Sequence, residues 1–72
     1  MSKFKEWAIA SLQSKAQADR QMALSSLELI LEHPAGIGDH STGDLHNNLS
    51  EALSSLADAD DRLEVLKKYF FS

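Results

Sequence analysis

The second half of the chain carries a regular pattern of apolar residues. They recur at alternating spacings of four and three, which is the repeat expected along one side of a long α-helix. The members of this seam are Leu45, Leu49, Ala52, Leu56, Ala59, Leu63, Leu66 and Phe70. Ser41, Thr42 and Asp44 stand just before the pattern, and each can cap a helix N-terminus. The pattern therefore predicts a helix over 44–70.

The first half predicts a second helix with a less regular seam. Residues 2–33 contain neither Pro nor Gly, and His33 precedes Pro34, a position that disfavours helical backbone. The apolar positions at heptad spacing are Ile9, Leu12, Ala16, Ala23, Leu27 and Ile30. Asp19 occupies a gap in this series. We expect this helix to cover 3–32.

The segment between the two helices is a loop. All three glycines and the only proline of the chain lie within 33–43, a concentration typical of a chain reversal. Two long helices joined by a short polar loop favour an antiparallel αα-hairpin. The predicted fold class is therefore all-α, with residues 1–72 forming a single helical-hairpin domain.

The helices have more apolar positions than one seam can cover. The additional positions are Met22, Leu24, Leu29, Leu53 and Val65. A chain of 72 residues is also close to the lower limit for a self-sufficient core. These two facts predict a homodimer that forms a four-helix bundle, or docking on a larger protein assembly.

The aromatic residues lie at the two ends of the chain. Phe4 and Trp7 stand near the start, and Tyr69, Phe70 and Phe71 near the end. An antiparallel hairpin brings these ends together, so we expect the rings to pack on one another and close its open end. Phe71 is the ring most expected to stay exposed. The alternative is an exposed aromatic anchor for a partner protein.

Charge and composition exclude several classes of protein. Seven basic and eleven acidic residues give a formal charge of −4, which does not favour a nucleic-acid partner. The absence of Cys excludes disulfides and thiolate metal sites. No apolar run is long enough to span a membrane, so we expect no membrane partner and a cytoplasmic location. The excess acid lies in the second half, where Asp58 and Asp61 are candidates for contacting a basic partner. A solvated helix surface is the alternative.

The loop contains the residues best suited to chemistry. His33, Asp39, His40 and His46 are candidate metal ligands by type, although their spacing matches no standard metal motif. Capping and backbone hydrogen bonding explain the same residues without a metal. Asp39, His40 and Ser41 are adjacent, so they cannot converge as a hydrolytic triad. The glycines lack the Lys of a phosphate-binding loop. We therefore expect no enzyme activity and no cofactor.

The loop and the second predicted helix resemble a known group of sequences. The relevant residues are Pro34-Ala35-Gly36-Ile37-Gly38-Asp39-His40-Ser41, then Asp61-Arg62-Leu63-Glu64 and Lys68-Tyr69-Phe70. Over residues 29–70 they resemble small proteins of T4-like and marine tailed bacteriophages. The resemblance implies a viral protein made inside an infected bacterial cell, and it carries no activity or catalytic residue with it.

The predicted function is protein–protein interaction without catalysis, as an adaptor, an inhibitor or an assembly component. The contacts would come from self-association through the helical seam, from the acidic face, from Phe71 and from the loop. The candidate loop residues are Gly36, Ile37, Gly38, Asp39 and His40. The alternative is a metal- or ligand-binding protein that uses the His and Asp residues of the loop.

Overall fold

The protein is a two-helix hairpin. The computed structural model describes residues 3–32 and 42–71, in which α1 spans Lys3–Glu32 and α2 spans Thr42–Phe70. The two helices pack side by side along their length, and the molecule measures 55 × 16 × 15 Å. A helix of 30 residues is about 45 Å long, so the rod is little longer than one helix. The all-α hairpin predicted from the heptad patterns is confirmed.

The second helix starts two residues before the predicted position 44. Thr42 and Gly43 are both helical, and Asp44 lies in the first turn, where a carboxylate is favoured by the helix dipole. Lys67 and Lys68 lie in the last turn and complement the opposite end of that dipole. Ser41, the other predicted cap, lies outside the described residues.

The core of the hairpin is made of small side chains. Its buried apolar residues are Ala16, Ala23, Ala52, Ala59 and Leu66. The alanines are seven residues apart within each helix, so they form one stripe on each side of the interface. Because a methyl group takes little room, such stripes let the two helices approach closely. Among the described residues no large side chain is fully buried.

The alanine stripe corrects the predicted seam at two positions. Leu12 is 57% exposed and Phe70 is also exposed, although heptad spacing assigned both to the interface. Gln13 is half-buried beside the stripe instead. When alanines form the centre of the contact, the positions three and four residues before an alanine lie at its two edges, as Gln13 and Leu12 do relative to Ala16. Spacing alone does not determine which edge is covered, and here the position of Gln13 is covered rather than that of Leu12.

The hairpin leaves a large surface uncovered. Its accessible area is 5575 Å² for a mass of 7.9 kDa. A compact folded protein of this mass exposes about 4,400 Å². The excess is roughly 1,200 Å², because two helices that meet along one stripe cover little of each other. The additional apolar positions Met22, Leu29, Leu53 and Val65 are exposed, while Leu24 is half-buried.

Candidate functional site

The alanine stripe divides the hairpin into two unlike sides. Residues three positions after or four positions before a stripe alanine lie on one side, which is polar and includes Asp19, Ser26, Asn48, Ser55 and Arg62. Residues one or four positions after a stripe alanine, or three positions before it, lie on the other side, as do residues one heptad further along. There they form what we call the leucine face: Leu24, Leu27, Leu31, Leu49, Leu53 and Leu56.

Ion pairs between the helices agree with this division. On the polar side, Nη2 of Arg62 donates to Oδ2 of Asp19 over 2.9 Å, and Nζ of Lys15 lies 3.1 Å from the same oxygen. Nε of Arg62 lies 3.2 Å from Oδ2 of Asp58. The four side chains form a continuous chain of alternating charge across both helices.

The charges of this network stabilise one another. The hydrogen bond from Arg62 lowers the pKa of the Asp19 carboxyl below its ordinary value, with a further contribution from Lys15. The same hydrogen bond raises the pKa of the Arg62 guanidinium. Asp19 is 30% exposed on its side chain, so water still screens these charges. Each ion pair therefore contributes only modestly to the stability of the hairpin.

A shallow groove runs along the polar side. It has a volume of about 550 Å³, and it exists because Ser26 and Ser55 are too short to fill the space between the helices. Asp19, Glu51, Asp58 and Arg62 are among its lining residues. The groove is open to solvent and carries more acid than base, so it does not enclose a small substrate as a catalytic pocket does.

The leucine face is an apolar surface on the half of the hairpin nearer the loop. Leu31 is 61% exposed and Leu53 is 58% exposed, while the other four leucines are half-buried. At the end of this face away from the loop, Nε of Arg20 lies 2.9 Å from Oδ1 of Asp60. The surface is thus a contiguous apolar strip with an ion pair at its border, an arrangement that marks many protein contact sites.

The aromatic rings do not close the open end of the hairpin. All five rings are exposed, with Trp7 at 67%. The expectation of a mutually packed cluster is therefore wrong. Phe71 is exposed as expected, although it is the least exposed of the five rings. The physical reason is the narrow interface: small side chains at its centre bring the helices close together, so the rings stay outside the contact.

The candidate residues named from the sequence fall in different places. Gly36, Ile37, Gly38, Asp39 and His40 lie outside the described residues, as does His33. Asp58 is paired with Arg62, which reduces its value as a free acidic contact, whereas Asp61 is exposed. His46 is exposed on α2. Within 3–32 and 42–71, no group of three or more His, Asp or Glu residues is placed to hold a metal ion.

Sequence reasoning missed the pairing of Asp19 with Arg62. The available signal was the position of Asp19, a charged residue at a seam position of α1, which implies a partner of opposite charge on the facing helix. It also missed the leucine face, because the seam was interpreted as one stripe rather than as a centre with two unlike edges.

Neither of the described helices is long and apolar enough to cross a membrane. In comparisons with known proteins, no family model, no curated protein and no solved structure matches this chain.

Proposed function

We propose that this hairpin acts by protein–protein interaction without catalysis, and that its first partner is a second copy of itself. The leucine faces of two copies would pack together into a four-helix bundle. The observation that carries the proposal is the pair of exposed leucines, Leu31 and Leu53, within a strip of six leucines on one side of the hairpin.

The area of uncovered surface supports the same proposal. The hairpin exposes roughly 1,200 Å² more than a compact protein of its mass. A standard protein interface buries about 800 Å² on each partner. Pairing through one face would therefore bring the exposed area close to that of an ordinary folded domain.

Self-association would make the hairpin a building block or an adaptor. The rest of its surface, including the exposed Asp61 and the open groove of the polar side, would remain available to a further protein. The resemblance to tailed-phage proteins and the cytoplasmic location stay predictions, as does the metal- or ligand-binding alternative, since no observation on the described residues favours it.

Sedimentation velocity across a range of concentrations tests the dimer. We expect the chain to sediment as a dimer at micromolar concentration, and the double variant Leu31→Ser, Leu53→Ser to sediment as a monomer. Both side chains are mostly exposed in the single hairpin, so the variant should keep its helical circular dichroism.

The matched control lies on the opposite side of the molecule. Met22→Ser with Leu29→Ser removes two exposed apolar side chains flanking the groove, and it should leave the dimer intact. A wild-type monomer at all concentrations would refute the proposal, and so would equal loss of the dimer in both double variants.

A further inference from the structure

The open end of the hairpin combines the aromatic residues with most of the lysines. We define it as residues 3–7 of α1 and 64–71 at the end of α2, which the antiparallel arrangement brings together. It contains all five aromatic residues of the chain and four of its five lysines. The lysines are Lys3, Lys5, Lys67 and Lys68. Nζ of Lys68 lies 5.3 Å from the centre of the Tyr69 ring.

The charge of this end is opposite to that of the rest of the molecule. The four lysines and the two acids Glu6 and Glu64 give the open end a formal charge of +2. The remaining residues carry three basic and nine acidic side chains, a formal charge of −6. The hairpin is therefore a rod, 55 Å long, with a basic aromatic end and an acidic body.

We infer that this end docks on an anionic lipid bilayer, with the rings entering the interface and the lysines contacting the headgroup phosphates. Aromatic side chains favour the boundary between lipid headgroups and acyl chains. Lysine stems extend along that boundary while their ammonium groups reach the phosphates. The acidic body would be repelled from the same surface, so the rod would stand on its end.

The positions of the rings favour a bilayer over a protein groove. Tyr69 and Phe70 are the last two residues of α2, and successive residues of a helix project about 100° apart. These two rings therefore do not share one flank that a groove could receive. A fluid interface accepts rings that enter separately. A second copy meeting end to end would bring two positive ends together.

The inference departs from the expectation of no membrane partner, which rested on the absence of a spanning segment. Peripheral docking needs no spanning helix. Bilayer docking also uses a part of the molecule different from the leucine face, so it can be tested independently of self-association.

Binding to vesicles tests the inference, and Trp7 is a built-in reporter because it is the only tryptophan. The full chain is mixed with vesicles of phosphatidylcholine alone, or of phosphatidylcholine containing phosphatidylglycerol. We expect at least about tenfold stronger binding to the anionic vesicles in co-sedimentation, weakened by salt, and a blue shift of the Trp7 emission on binding.

Two pairs of variants assign the binding to the open end. Lys67→Gln with Lys68→Gln should weaken binding to anionic vesicles about tenfold, whereas Lys15→Gln with Arg20→Gln removes the same charge from the body and should change it less than about twofold. Phe70→Ser with Phe71→Ser should also weaken binding, with Met22→Ser and Leu29→Ser as its control.

Circular dichroism confirms that each variant is folded. The inference is overturned if the chain does not bind anionic vesicles or if Trp7 emission does not shift on binding. It is equally overturned if the control variants lose as much vesicle binding as the variants of the open end. It is also overturned if the end variants fail to alter vesicle binding and instead change the sedimentation of the protein alone, because the end would then be a protein contact.

Discussion

Arg62 of α2 reaches across the hairpin to Asp19 of α1, with 2.9 Å between its Nη2 and the carboxylate Oδ2. Lys15, one helical turn before Asp19, donates to the same carboxylate. One acidic side chain in the predicted seam of α1 thus accepts from both helices. This arrangement links the relative position of the helices to the ionisation of a single group.

Acid should weaken the hairpin through Asp19. Its pKa is lower in the folded protein than in the unfolded chain, so its contribution to stability is present above the unfolded value and is lost as the pH falls through the folded value. We expect the melting temperature to fall as the pH drops below the ordinary range of an aspartate carboxyl. Asp19→Asn should melt lower than wild type at neutral pH and show a flatter dependence on acid.

The control for this experiment is Glu28→Gln, which removes an exposed carboxylate of the same helix. Its melting temperature should follow the wild-type dependence on pH. If Asp19→Asn and wild type lose stability in parallel over the acid range, the hydrogen bonds to Asp19 do not couple folding to its ionisation.

Enlarging the alanine stripe should separate the helices. Ala59 has no exposed surface, so Ala59→Leu would force the backbones apart, at a cost of about 1–3 kcal/mol in the free energy of unfolding. Ala57→Leu adds the same atoms at an exposed position of the same helix, and it should stay within about 0.5 kcal/mol of wild type. Urea denaturation followed by circular dichroism measures both. Equal effects would show that the stripe is not the helix contact.

Truncating two leucines should distinguish the observed core from the heptad seam. Leu66 is 7% exposed, and Leu66→Ala should lower the free energy of unfolding by about 2–5 kcal/mol. Leu12 is mostly exposed, so Leu12→Ala should cost less than about 1 kcal/mol, although heptad spacing places both in the seam. Thermal and chemical denaturation of the two variants gives the comparison. If Leu12→Ala lowers the free energy of unfolding as much as Leu66→Ala does, Leu12 lies in the helix contact as the heptad spacing predicts.

The sequence indicated the candidate interaction surface only as a set of apolar residues in excess of those that one seam can cover. Leu53 and Met22 stood outside any single seam, which correctly indicated that the hairpin leaves apolar side chains uncovered. The sequence did not predict that these two residues lie on opposite sides of the hairpin, because their placement depends on which edge of each helix contacts the other helix. Asp58 and Asp61 were the candidates for an acidic contact surface; Asp58 lies in an ion pair with Arg62, whereas Asp61 is exposed.

The sequence by itself determined the two helices, the hairpin and the overall charge. Heptad spacing, the absence of Pro and Gly within the helices and their concentration between them are local signals, and local signals are sufficient for elements of this length. Tertiary structure alone decided that alanines would form the centre of the contact. That choice brought the helices close together, left Leu12, Trp7 and Phe70 exposed, paired Asp19 with Arg62 and separated a leucine face from a polar side. These outcomes depend on how two helices rotate against each other, which no spacing within one helix specifies.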